Sequence, residues 1–444
     1  MTGSAAAPAA ERSGLLAGHA GHVFPRLLAG APGGPDPREA LADHLRTHGP
    51  APLSVDPARV LSEVDASGLA GRGGARFPAG RKLAAVRAAR GGPAVIVGNG
   101  AESEPASRKD TALLWHAPHL VLDGLQLAAA VCGAGTVILG LHDGRPGLRR
   151  HLDGAIAARQ QAGLDPLPVQ VRETPPRFLA GEETALARFL DGGPAVPAFK
   201  AYRLFERGVG GRPTLMQNTE TLAHLAVIAR HGAAWFRLAG SDAEPGTLLC
   251  TVTQSDRSTQ ITETQPGTPV GALLRLDAGV QAVLAGGYHG GWLTTDQART
   301  LRFCDADLKP AGAFAGAGVL AALPAGVCGL AETANVVRYL ALESAGQCGP
   351  CLNGLPRIAT ALAALARPRP APAELANLER WAGLVSGRGA CHHPDGTVRF
   401  VTSALRVFSP EIAAHARGRC TAHRAASFLP IPAAPAAESD WRQR

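Results

Sequence analysis

The chain has 444 residues, too many for one ordinary hydrophobic core, which sets an expectation of about two to four domains. Apolar residues make up 46% of it and charged residues 18%, a balance that excludes a wholly disordered chain. The formal charge of +8 raises nucleic acid as a partner, but the lysines (Lys82, Lys109, Lys200 and Lys309) and scattered arginines form no basic stripe interleaved with aromatics, so a nucleic-acid partner is not expected.

Met1 to Val23 lacks a charged start followed by an unbroken apolar stretch, and the most apolar region, Leu120 to Leu141, is interrupted by Asp123, Gln126 and glycines. Neither export nor direct membrane insertion is therefore expected, and Leu120 to Leu141 reads as a buried helix followed by a strand. Residues 1–55 are rich in Ala, Gly and Pro, with a helical stretch around Arg38 to His48, and read as an N-terminal extension lying on the first domain. From 56 to 240, β-branched runs such as Ala94 to Val97 and Thr136 to Leu139 alternate with helical patterns such as Thr111 to Val131, which predicts an α/β domain with a largely parallel sheet. From 246 to 318 the texture changes to short strands, Thr247 to Val252 and Val280 to Leu284, with one short helix near Gly271 to Leu274, which predicts a small β-rich module. Helical spacing returns between 325 and 425, notably in Asn335 to Ser344 and Ile358 to Leu365, and predicts a helical bundle. Residues 426–444 form a Pro/Ala-rich tail expected to be mobile. The 8 cysteines, without an export signal, point to a reducing compartment, by default the cytoplasm, where paired cysteines bind metal or do redox chemistry more often than they form structural disulfides.

Several segments carry candidate chemistry. Ser67 to Lys82 is a glycine-dense loop ending in a lysine; backbone amides without side chains approach phosphate oxygens closely, and a lysine neutralises them. With 54 glycines in the chain, that cluster alone identifies nothing. The strand Ala94 to Val97 runs into Gly98-Asn99-Gly100-Ala101-Glu102-Ser103-Glu104, and ligands of open α/β sheets gather at the carboxyl ends of strands. An acidic surface turn explains that segment about as well. Gly181-Glu182-Glu183-Thr184 and Met216-Gln217-Asn218-Thr219-Glu220-Thr221 each read as the capped start of a helix as readily as a binding site.

Taken in order, AGRGGARFPAGRKL, NGAESEPA, GEETAL, MQNTETLA, ESAGQCGPCLNG and then Cys391 resemble the flavoprotein family of respiratory complex I, the NADH-binding F chain that carries FMN and an iron-sulfur cluster. The resemblance covers roughly residues 60 to 410 and implies a multidomain α/β fold: a Rossmann-like FMN-binding α/β domain, a small β-grasp module of the SLBB type, and a C-terminal helical-bundle iron-sulfur domain. Carried over by position, it implies that Gly71, Gly73, Gly74, Lys82, Asn99, Glu102, Ser103, Glu183, Gln217, Asn218 and Thr221 bind FMN, and that Phe77, Glu104 and Glu183 meet the NAD(P)H substrate. The chain departs from the family at Ala101, where an aspartate is expected, and at Gln217, where an asparagine is. A second aromatic expected after Lys82 falls on Ala85, and Pro197-Ala198-Phe199-Lys200 holds the ingredients of the family's nicotinamide segment in another order.

The resemblance also implies a 4Fe-4S cluster on Cys348, Cys351 and Cys391, with the family's first cysteine replaced by Ala345. His392, His393, Cys328 and Cys420 are the alternatives for a fourth ligand; an open iron site or no cluster at all are the others. The implied activity is oxidation of NAD(P)H through FMN, with electrons leaving by the cluster to a ferredoxin-like or other iron-sulfur acceptor protein. The competing reading is a non-enzymatic scaffold or regulatory homologue that has lost the cluster or the nicotinamide site.

Overall fold

The computed structural model describes residues 14–15, 26–29, 39–198, 202–422, 427–432 and 441. Phe199 and Lys200, most of the N-terminal extension and most of the tail lie outside the described residues. The elements of the first unit are β1 (Gly14–Leu15), α1 (Leu41–His48), α2 (Pro57–Ser67), α3 (Ala79–Ala88), β2 (Ala94–Gly100), α4 (Lys109–His116), α5 (Pro118–Cys132), β3 (Ala134–His142), α6 (Pro146–Gln161), β4 (Val169–Thr174), α7 (Glu183–Leu190), β5 (Thr214–Asn218) and α8 (Thr219–Phe236). Strands β2 to β5 form an all-parallel sheet in the order β4-β3-β2-β5. Parallel strands must be crossed over by helices, so both faces are covered and the strands are apolar throughout. Ile96, Val137, Leu139 and Leu141 face the core shared with α2, α5 and α8, whereas Val95, Val97 and Ile138 face α7.

One expected helix, Thr111 to Val131, is two. The chain bends at Ala117 (φ −140°, ψ 52°) because Pro118 cannot donate to the preceding turn and opens α5 instead. Helices α5 and α8 then approach so closely that a Cβ on Gly124 would collide with the Leu222 carbonyl.

The second unit contains β6 (Leu248–Thr253), β7 (Thr259–Thr264), α9 (Val270–Leu273), β8 (Val280–Ala285), β9 (Gly291–Thr294), α10 (Thr295–Thr300), α11 (Asp305–Leu308) and β10 (Val319–Pro324). Its sheet runs β1-β7-β6-β10-β8-β9, with β10 parallel to β6 and antiparallel to β8. The boundary expected at 318 is thus too early, since β10 is a central strand. Its run Val-Leu-Ala-Ala-Leu-Pro shows no polar alternation because both faces are buried: Val319, Ala321 and Leu323 face the helical unit, and Leu320 and Ala322 face α9 to α11.

The N-terminal extension straddles both units and does not lie on the first alone. β1 pairs with the sheet edge at β7, the backbone amides of Arg26 and Leu27 donate to Glu263, Leu27 enters the first core, and His44 of α1 meets Asp123 of α5 at 2.9 Å.

The third unit comprises α12 (Gly329–Leu342), α13 (Leu355–Leu365), α14 (Glu374–Val385), α15 (His393–Val407) and α16 (Ser409–Ala416). Contacts run in a ring, α12 on α13, α13 on α14, α14 on α15 and α15 back on α12. Leu340, Ile358, Leu362, Leu378, Phe400 and Val401 fill the centre. Trp292 of β9 is buried against this bundle, its backbone amide donating to Ser403 Oγ (2.9 Å) and its indole N–H to Thr333 Oγ1 (3.1 Å).

Candidate functional site

Four segments distant in sequence meet at the carboxyl edge of the parallel sheet. Strand register sets Asn99 beside Asn218 and Gly98 beside Gln217. Asn99 Nδ2 donates to the Gly181 carbonyl (2.8 Å), fixing the turn before α7, and Ser103 lies so close to Gly181 that a Cβ there would strike its hydroxyl. The glycine loop closes as a small hairpin, with Gly71 N donating to the Phe77 carbonyl (2.9 Å), and the backbone amide of Arg72 donates to Thr221 Oγ1 (2.9 Å). Gly74 sits at φ +100°, where a Cβ is strained, and a Cβ on Gly73 would press on Asn218 at 3.3 Å. Phe77, 53% exposed, ends the loop.

Lys82 stands in the first turns of α3, its Nζ 3.1 Å from Glu183 Oε2 and donating to the Met216 carbonyl (2.9 Å). Asn218 caps α8 by accepting from Glu220 N (3.0 Å), while its amide donates to Asp110 (2.9 Å). Glycine amides, an ammonium group and three side-chain amides on one rim are a donor set suited to a phosphorylated, amide-edged ring system. These residues therefore fit FMN.

Two expected ligand contacts serve other ends. Glu102 is buried and accepts from Ser107 Oγ (2.6 Å), Asp110 N (3.1 Å), Thr111 N (3.1 Å) and Thr111 Oγ1 (2.6 Å), so its oxygens hold the start of α4 and not a ribityl chain. Glu104 accepts from Tyr288 N (2.8 Å) and Ala106 N (3.1 Å), clasping the first unit to the second instead of standing free for a nicotinamide. Burial pushes the Glu104 carboxyl up to about 7, against the pull of those amides.

Beneath the rim lies a charge network whose members were not singled out for a role in the sequence. Lys109 Nζ is 2.8 Å from Asp110 and 2.9 Å from Glu220, all three buried, and Glu220 also accepts from Leu249 N (2.8 Å) of the second unit. Burial works to raise the Glu220 carboxyl, but Lys109 together with His224 and Arg72 brings it down to about 2. The one available signal was the scarcity of lysine: two of the four, Lys82 and Lys109, stand at this site.

The cysteine end of the molecule is built differently. Just past the C-terminus of α12, Glu343 is buried and ion-paired with Arg177 (2.8 Å), and it accepts from Phe178 N (2.9 Å), tying the turn before α7 to this end of the bundle. Cys351 is buried in a π-helical turn, Pro350 to Gly354. Burial, with Cys348 and Cys391 as its neighbours, pushes its thiol up to about 12. The three thiols are thus brought together, as a cluster needs. Ala345 supplies no donor and packs on Leu179 and Val196.

His393 is removed as a fourth ligand: its ring nitrogens are engaged by the Leu340 carbonyl (2.8 Å) and His289 (3.1 Å), and burial lowers it to about 4. His392, 98% exposed, stays available. Cys328 is also removed. It caps the opposite end of α12, whose 14 residues set it roughly 21 Å away. Cys420 meets Cys328 there.

Comparison with known proteins agrees with this geometry. The family model for the Nuo51 FMN-binding domain matches residues 64–227, and that for the NADH-ubiquinone oxidoreductase-F iron-sulfur binding region matches residues 331–415. The second F-type component of the NADH-quinone oxidoreductase of Rhizobium meliloti is 28% identical over 384 residues, covering 83% of this chain and 91% of the relative. Its F-type counterpart in the NADH-quinone oxidoreductase of Streptomyces coelicolor is 27% identical over 386 residues, covering 83% and 85%. A solved NAD+-reducing nickel-iron hydrogenase in its H2-reduced state superimposes with a TM-score of 0.73 at 26% identity, over 85% of this chain and 67% of that one. The chain belongs to the flavoprotein, or F chain, family of NADH:ubiquinone oxidoreductase.

Proposed function

We propose that this chain is where a larger redox assembly takes up electrons: it oxidises NADH through FMN and passes the electrons through an iron-sulfur cluster to a protein acceptor. The observation that carries the reading is the meeting of the glycine loop, Lys82, Asn99, Glu183, Gln217 and Asn218 at one sheet edge. When bound, FMN accepts a hydride and gives up electrons one at a time, which a cluster requires. The protein's share is binding and orientation. Lys82 would hold the phosphate with the loop amides, Gln217 and Asn218 would orient the polar ring edge, and Glu183, 3.1 Å from the Lys82 ammonium, would govern where that charge sits. Phe77 and Glu183 are assigned to the nicotinamide side. Cys348, Cys351 and Cys391 would hold three irons, with His392 the remaining side-chain candidate for the fourth.

Hydride transfer needs no general base, so no catalytic acid or base is assigned. The β-rich unit is read as an SLBB-type module, and the acceptor as a ferredoxin-like iron-sulfur protein. Among the described residues no helix is long and apolar enough to cross a membrane, and the proposed location is the cytoplasm. The test is a spectrum of the anaerobically purified protein before and after NADH and, separately, NADPH. Bleaching of a flavin band by NADH is expected; a colourless protein, or a flavin that neither dinucleotide reduces, overturns the reading.

A further inference from the structure

At the N-terminal end of α12, away from the cluster cysteines, four side chains with metal-ligand chemistry converge. Cys328, Glu411, His415 and Cys420 each place a donor atom within 4.8 Å of the others. Glu411 and His415 are four residues apart on α16 and so share one helix face. His415 Nε2 lies 2.9 Å from Glu411 Oε1 and 3.7 Å from Cys328 Sγ, and Cys328 Sγ lies 3.9 Å from Glu411 Oε1.

The surroundings orient these groups as ligands. His415 is fully buried, and its Nδ1 faces the Leu365 carbonyl at 3.2 Å. A carbonyl there takes the Nδ1 proton, which leaves the Nε2 lone pair directed at the other three donors. Glu411 is held in turn by the amide and hydroxyl of Thr421. Cys328 accepts from Ala331 N (3.4 Å), as the cap of α12. Hydrogen bonds alone explain a capped helix and a Glu-His pair at spacing four, but they give no reason for a second thiol to join the group from a separate turn.

We propose that Cys328, Glu411, His415 and Cys420 form a structural divalent-metal site, suited to zinc, that staples the chain after α16 to the start of α12. Two sulfurs, one imidazole nitrogen and one carboxylate oxygen make a complete tetrahedral set for zinc, leaving no open position and so no catalytic role. Binding replaces the two thiol protons, which are released to solvent, and changes no oxidation state. Cys420 is exposed, which gives the ion a path in.

The experiment uses the full chain with its flavin and cluster in place, stripped with a mild chelator and reloaded anaerobically, under reducing conditions, with zinc or with cobalt as a spectroscopic probe. The expected result is ~1 zinc per chain beyond the cluster iron, and intense tetrahedral and thiolate-to-cobalt bands with cobalt. Cys420→Ser and His415→Gln should each lose that stoichiometric metal, while Cys304→Ser keeps it. Cys420 lies at the surface, so its variant reads the site even where the His415 variant fails to fold. Wild-type protein that retains no zinc, a weak octahedral cobalt spectrum, binding unchanged in Cys420→Ser, or a Cys328–Cys420 disulfide under these conditions would each overturn the proposal.

Discussion

The two ends of the electron path are built on opposite logic. At the flavin end, backbone amides, one ammonium group and several side-chain amides share the work, so replacing the family's aspartate by Ala101 leaves the other groups in register. At the cluster end, four discrete bonds would do the holding, and the single change at Ala345 removes one of them outright. A site made of many weak contacts degrades by degrees, and a site made of few strong bonds fails in steps.

The sharpest way to break that comparison is at the strong bonds. Cys351→Ser should lose essentially all cluster iron and sulfide, and with them electron delivery to an external acceptor, while the flavin stays bound and reducible by NADH. Iron and sulfide assays alongside the flavin spectrum check it. If iron persists, the three-thiolate assignment is wrong. Ala345→Cys sharpens the same point from the other side, since a restored fourth thiolate should make the cluster slower to lose iron in air than in the parent protein.

Next in size comes the charge network under the flavin rim. Lys109→Met strands Asp110 and Glu220 without their shared cation, and breaking a buried pair in this way costs about 3–5 kcal/mol. Chemical denaturation should show a loss of that order; a change below about 1 kcal/mol would mean the carboxylates had found other partners. Lys82→Ala, at the solvent-facing rim, should do less. Losing one charge-assisted hydrogen bond weakens flavin binding by about tenfold, roughly 1.4 kcal/mol, without emptying the site. Flavin dissociation followed by fluorescence measures it. Glu183→Gln should lower the rate of reduction by NADH with the flavin retained.

The same contrast governs how much was legible in the sequence. The parallel α/β unit could be read because its β-branched strands and helical repeats alternate at regular length, and the flavin rim because its motifs are contiguous and ordered. β10 escaped because a strand buried on both faces carries no alternation. Glu102 and Glu104 were misassigned because a carboxylate beside a glycine turn has one sequence appearance whether it meets a ligand, caps a helix or clasps a neighbouring unit. The meeting of Cys328 with Cys420 was invisible because 92 positions separate them and only the bundle's closure brings them together. Lys109 was noticed for its rarity but had no motif to give it a role.

The smallest predicted effect follows from Glu104, which holds the first two units together from the flavin end. Its carboxyl titrates near 7 in the folded protein because burial disfavours its charge, well above the usual carboxylate range. A raised folded-state value means the protonated form is preferred on folding. The associated stability is therefore fully present below about pH 4.5, where both states hold the proton, and declines as pH rises towards about 7, because the unfolded chain releases its proton first. Above that window the loss is complete and constant. Glu104→Gln keeps an acceptor for the Tyr288 amide and removes the titration, so the difference in stability between wild type and variant should drift across this window and level off above it. Parallel denaturation series on the two proteins isolate that difference from every other titrating group. A difference that is flat in pH would show that the Glu104 clasp stays charged throughout and that burial is not what governs it.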